Sequence, residues 1–212
     1  DYTAGVAAFL LPDIPDVVTE AGLIIPGTGR ILVLPRFWIP ADKLLDRTHT
    51  DRVPVDQWVK RGLVTATPGD VVDYDSVEEW LENLGERYDV TEIPMDPHNA
   101  TALQTRLQAR FPGTKETPIV VSVRQGWAAM SPAIKETEAL IRKRRLIHGG
   151  NPVLRWMTSN VSLKRDLSDN YMLDKARSGD RIDGITALVT CYSRFLVDKE
   201  DRDFDRPIIG IG

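Results

Sequence analysis

At 212 residues, with 42% hydrophobic and 27% charged side chains, the chain holds material for one domain with a substantial core. It has no apolar run long enough to span a bilayer, which excludes a transmembrane helix, and its first residues lack the basic, apolar, small-residue order of a secretory signal. A balance of 27 basic and 31 acidic residues leaves a net charge of −4, against a uniformly basic nucleic-acid binder though not against a local basic patch, and the single cysteine, Cys191, forms no internal disulfide and fits a reducing compartment.

Residues 1–11 read as a strand already under way, without a Met, which suggests a fragment of something longer. A second strand is expected over Arg30 to Ile39, paired antiparallel with the first across a Pro-, Gly- and Asp-bearing link. Short helices are expected at Ala41 to Arg47 and at Val55 to Arg61 around Trp58, and a short strand at 62–69. The stripe Trp80, Leu81, Leu84 predicts a helix over Asp75 to Arg87, capped by Asp75 or Ser76. Tyr88 to Asp96 alternates as a strand, with Asp96 at its end, and Pro97 opens a helix carrying Leu103, Leu107 and Phe111. The compact apolar run Pro118 to Val123 predicts a central strand. Arg124-Gln125-Gly126 leaves it as a loop, and a helix is expected from Ser131-Pro132 to the basic terminus Arg142 to Arg145. Residues 151–163 suggest helix then strand, and 162–174 a hairpin or ordered loop. From Asp183 to Lys199 the pattern is apolar nearly all round, the mark of a buried helix, and 200–212 is expected to be a mobile tail. The alternation of strands and helices predicts an α/β fold.

Two acids stand out. Asp183 opens the buried helix, where an unpaired charge is costly, so either the helix N-terminus holds it as a cap or a divalent metal does. Asp96 ends a strand before a helix, again either a cap or a ligand. If both face one crevice, their oxygens suit Mg²⁺ or Mn²⁺, and a pair of such ions hydrolyses phosphodiesters. No phosphate loop of the G-x-x-x-x-G-K-[ST] kind is present, the three histidines are too scattered for a zinc site, and no nucleophile motif supports a serine or cysteine mechanism. The cluster Arg142 to Arg145 with His148 is either a solvated helix end or a phosphate-tracking patch.

Several motifs occur together in a distinctive order: Ile93-Pro94-Met95-Asp96-Pro97-His98-Asn99-Ala100, then Arg124-Gln125-Gly126, then the stretch from His148 to Asn160 (HGGNPVLRWMTSN), then Asn170, Lys175 and the stretch from Arg181 to Leu188 (RIDGITAL). This run resembles the C-terminal nuclease domain of tailed-bacteriophage terminase large subunits, over residues 1–197. The resemblance implies an RNase H-like fold, with a mixed central β-sheet flanked by helices over 1–199, and an endonuclease that cuts concatemeric double-stranded DNA by two-metal phosphodiester hydrolysis, with Mg²⁺ or Mn²⁺, in the cytoplasm of the infected host. It implies Asp96 and Asp183 as the second and third metal-binding acids. The first family acid would lie upstream of the Asp1-Tyr2-Thr3-Ala4 stretch, with Asp1 and Asp180 as the weaker substitutes. Its implied partners are DNA, an N-terminal ATPase domain of the same polypeptide, the small terminase subunit and the portal protein. His148, Asn151, Asn160 and Lys175 match family positions near the cleft. Arg124, Gln125, Lys164 and Lys175 are candidates for DNA-backbone contacts. Two other readings share these features: a docking module that grips DNA or portal without cutting, and an RNase H-like junction resolvase.

Overall fold

The computed structural model describes residues 2–96, 101–197 and 206–212. In chain order, its strands are β1 Thr3–Leu10, β2 Val17–Val18, β3 Ile24–Ile25, β4 Ile31–Pro40, β5 Thr65–Thr67, β6 Ile93–Met95, β7 Val120–Ser122, β8 Leu146–Ile147, β9 Leu163–Arg165, β10 Tyr171–Leu173 and β11 Ile208–Ile211. Its helices are α1 Leu44–Thr50, preceded by a 3₁₀ turn, α2 Val55–Lys60, α3 Tyr74–Gly85, α4 Thr101–Arg110, α5 Trp127–Arg142, α6 Pro152–Ser159 and α7 Asp183–Phe195. None of the described helices is long and apolar enough to cross a membrane.

The main sheet runs β5-β4-β1-β11-β6-β7, with β8 also on β4. β1 and β4 pair antiparallel from Thr3↔Trp38 to Leu10↔Ile31, as their patterns predict. β11 is antiparallel to β1, and both β11 and β7 are parallel to β6, so the sheet is mixed. Alternation along each strand divides the core in two. Ala4, Val6 and Ala8 of β1, with Phe37 and Ile39 of β4, meet α2, α5, α6 and α7 on one face. Ala7, Phe9 and Trp38, with Ile209 and Ile211 of β11, meet α3 and α4 on the other.

Four expectations are corrected. The tail expected over 200–212 is not all mobile: 206–212 run into β11, a buried strand in the middle of the sheet, while the charged residues 198–205 lie outside the described ones. A row of isoleucines with Gly210 fits a slot closed on both sides, and Gly212 exchanges backbone hydrogen bonds with Ala4. The Pro118 to Val123 run gives β7 at an edge of the sheet, not its centre, because apolarity reports burial and not lateral position. The helix expected to start at Ser131-Pro132 starts at Trp127 and carries Pro132 inside. Pro132 forfeits one bond to the carbonyl of Ala128, which sits on an exposed turn where water can replace it, and the Ser131 hydroxyl accepts from the Tyr171 amide at 3.0 Å. Asp73, rather than Asp75 or Ser76, caps α3 by accepting from the Asp75 amide at 3.0 Å. The helix opened by Pro97 is described only from Thr101, so its start lies outside the described residues.

Candidate metal and DNA site

The C-terminal ends of β6 and β11 and the N-terminal ends of β1 and α7 meet at one end of the sheet's central strands. Asp96 follows Met95 at the end of β6. Asp183 is the first residue of α7, one of the most buried helices of the fold. Its position depends on Gly184: a Cβ there would stand 2.8 Å from the Phe37 ring and 3.1 Å from Met157 Sδ, so glycine lets the first turn of α7 press onto β4 and α6. The two aspartates, far apart in sequence, line the same cavity of about 610 Å³, together with Tyr2, Asp70, Lys175 and Gly212.

Asp183 does not stand at the N-cap position itself, though its carboxylate accepts from its own amide. Ile182 is the N-cap, Asp183 lies inside the helix, and no side-chain hydrogen bond caps α7. Burial pushes its carboxyl above the usual range, with Lys175 pulling the other way. A carboxylate raised in this way gains when a cation neutralises it. Among the described residues no group of three or more His, Cys, Asp or Glu is placed to hold a metal ion. The two acids nonetheless fit the chemistry of Mg²⁺, which is held by one or two carboxylates with substrate phosphates completing its shell.

A second cavity of about 360 Å³ adjoins the first through Asp96 and Lys175, and Gln125 and Lys164 line it too. Three of the four expected DNA contacts thus flank Asp96. The hairpin β9–β10 carries Lys164, whose ammonium lies 5.7 Å from the Trp127 ring. Gln125 donates to Thr190 Oγ1 of α7 at 3.0 Å, which anchors the loop after β7 onto the helix of Asp183. Arg124 is exposed on that loop and lines neither cavity. Of the residues matching family positions, Asn151 caps α6 by accepting from the Leu154 amide, and Asn160 donates to the Arg181 carbonyl at 3.0 Å, bracing the turn before Asp183. His148 lies in a different groove, its imidazole pushed down by burial and by Arg155. Of the two substitutes for the first acid, Asp180, in the turn before α7, is not among the walls of the cavity, and Asp1 lies outside the described residues.

Sequence reasoning missed Asp51, at the end of α1. It is 4% exposed, the only fully buried charged side chain among the described residues. Burial, then the charge of Asp180, raises its carboxyl from 3.8 to about 6, against the pull of Arg47 and Tyr2. Because the folded value is raised, this group's contribution to stability is complete below about 3.8 and is lost as pH rises through about 6. Asp51→Asn is therefore expected to gain stability relative to wild type on going from pH 4 to pH 8, read from urea midpoints at the two values. A constant difference across that range would contradict it. The polar stretch before Asp51 carries no periodicity that would have singled it out.

A family described as "Terminase large subunit, endonuclease domain" matches residues 14–199, and the chain belongs to that family. It is 36% identical over 175 residues to the terminase large subunit of Enterobacteria phage HK97, covering 82% of this chain and 34% of that protein. It is 33% identical over 178 residues to protein YmfN of Escherichia coli K12, covering 80% of this chain and 37% of that protein. The crystal structure of the HK97 bacteriophage large terminase superposes with a TM-score of 0.68 at 30% identity, over 89% of this chain and 39% of that one. The chain therefore spans little more than a third of the length of these relatives, and the fold is that of a terminase nuclease domain.

Proposed function

We propose that this chain is the cutting domain of a phage DNA-packaging terminase, a metal-dependent endonuclease that hydrolyses concatemeric double-stranded DNA in the host cytoplasm, with Asp96 and Asp183 as its metal ligands. The observation that carries the reading is that these two carboxylates, distant in sequence, open into one cavity at the ends of the central strands. The chemistry that bound Mg²⁺ or Mn²⁺ supplies in such a site is activation of water and neutralisation of charge on the phosphate.

The chain's own residues do the rest. Asp183, raised by burial, is poised to take up a cation, and the rigid first turn of α7 fixes its direction. Gln125 ties the loop after β7 to that helix. Lys164 and Lys175 put positive charge beside Asp96, where a DNA strand entering the cavities would present phosphates. The ATPase domain, the small subunit and the portal are the partners this reading implies.

Lys164→Ala and Lys175→Ala are each expected to weaken duplex binding similarly for all sequences and to lower the salt slope of log affinity by about 1. Fluorescence anisotropy over a salt series checks this, and an unchanged slope would remove them from the interface.

The test of function is nicking of supercoiled plasmid with Mn²⁺ by wild type, Asp96→Ala and Asp183→Ala. Cutting by wild type that both variants abolish supports the proposal, and cutting that survives both overturns the site. The absence of a three-acid group among the described residues favours one other reading, a docking module, and no cutting by wild type would support it.

A further inference from the structure

Away from the cutting site, one groove joins apolar surface to unpaired positive charge. It encloses about 550 Å³ and shares no lining residue with the two cavities at Asp96. Its apolar walls are Leu23 and Ile25 at the β2–β3 ribbon, Ile141 near the end of α5, Leu146 of β8 and Leu154 of α6. Arg144, Arg155 and His148 stand among them, and no Asp or Glu does, in a chain whose net charge is −4. Arg142 is held by Glu138 at 3.1 Å, but Arg144 and Arg155 are exposed and make no side-chain hydrogen bond or ion pair among the described residues. The Thr158 and Ser159 hydroxyls donate to the Leu154 and Trp156 carbonyls of their own helix, each at 2.7 Å, so the walls ask for no further acceptor. The apolar surface continues onto the ribbon, where Val17, Val18 and Ile24 are 48%, 67% and 57% exposed. β2 and β3 pair only with each other, so these side chains serve no sheet of their own. The ribbon is held in place nonetheless: Asp16 and Asp13 accept from the Gly27 and Gly29 amides at 2.8 and 3.1 Å, and Ile14 donates to the Gly27 carbonyl at 2.9 Å.

We propose that this groove docks an acidic amphipathic helix of another protein, with its apolar stripe against Leu23, Ile141 and Leu154 and its carboxylates on Arg144 and Arg155. Charge complementarity selects the occupant. Two guanidiniums without partners, set among apolar walls, match a helix with aliphatic anchors at i, i+3, i+4 and i+7 and acids on its flanks. A nucleic-acid backbone would use the arginines but gain nothing from the apolar walls. A second copy of this chain, meeting groove to groove, would bring the same two positive charges against each other. Because the groove is separate from the cavity of Asp96 and Asp183, the inference does not depend on the metal reading.

The test is fluorescence anisotropy of the full chain with a labelled helical peptide of about 18 residues, with Leu at i, i+3, i+4 and i+7 and Glu on the flanks. The same peptide with Lys in place of Glu is the second probe. Wild type is expected to bind the Glu probe at least about tenfold more tightly than the Lys probe. Arg144→Glu with Arg155→Glu, both at exposed positions, weakens the Glu probe by about tenfold and tightens the Lys probe, as two exposed pairs turn from attraction to repulsion. Ile141→Asp, at a side chain already 41% exposed, weakens both probes by about tenfold with the melting temperature unchanged. The exchange of preference between probes is what a variant that merely loosens the fold cannot produce. Equal binding of the two probes by wild type, no binding of either, or a preference that survives the double reversal would overturn the proposal. So would two results that assign the groove elsewhere: duplex DNA that binds through Arg144 and Arg155 while the Glu probe does not, or a dimer in sedimentation that Ile141→Asp abolishes.

Discussion

Asp183→Asn is expected to lower plasmid nicking by roughly three orders of magnitude, about 4 kcal/mol of barrier, while leaving the melting temperature equal to or above that of wild type. The two effects come from one property. The carboxylate is half-buried at the start of α7, and burial raises its carboxyl above the usual range against the pull of Lys175 and of a bond from its own backbone amide. At neutral pH the folded state therefore carries an electrostatic cost that the amide does not, and asparagine fills the same volume on the same helical turn. If Asp183 were a structural cap, the outcome would reverse, with activity near wild type and lower stability. Nicking within tenfold of wild type would contradict its role. Asp96→Asn should show the same loss of activity.

Gly210→Val is expected to cost about 3 kcal/mol or more and to lower the urea midpoint accordingly, at the upper end of what overpacking a core does. A Cβ at this position would lie 2.2 Å from the Ala187 carbonyl oxygen and 2.8 Å from Cys191 Cβ. The first is helix backbone, which no rotamer change can move, so β11 must lift from α7. Lifting it exposes Ile208, Ile209 and Ile211, all buried, and opens the seam between β1 and β6. Gly126→Ala is the control: nothing lies within 4 Å of its would-be Cβ, and a change within about 0.5 kcal/mol is expected. A wild-type midpoint for Gly210→Val would mean that β11 is not seated on α7.

Particular residues show how far the sequence could be read. The apolar sweep from Ile185 to Phe195 has no polar face, and α7 is buried accordingly. The β1–β4 pairing follows from alternation and turn chemistry, and the β9–β10 hairpin is one of the two forms expected over 162–174. Asp96 and Asp183 stand out by their places at element ends, but that pattern leaves cap and ligand both open, and their role as metal ligands is what the family resemblance implies. β11 was not legible because a strand of four residues after a charged stretch carries too few repeats to signal its partners, and the pairing that buries it is entirely long-range. The early start of α5 was masked by the preference of proline for a first turn, which Pro132 does not follow. Asp51 and Arg47 were illegible for a different reason. Their significance lies in facing Asp180 and Tyr2 across the fold, and no local pattern records such an encounter.

Asp96 and Asp183 are proposed to serve one metal centre rather than two separate ones. Calorimetric titration of Mn²⁺ into wild type, Asp96→Asn, Asp183→Asn and the double variant distinguishes the two. Either single change is expected to remove the tight binding, and the double change to cost nothing further, since both ligands belong to one metal centre. Tight binding that persists in both single variants, or losses that add independently in the double, would contradict it.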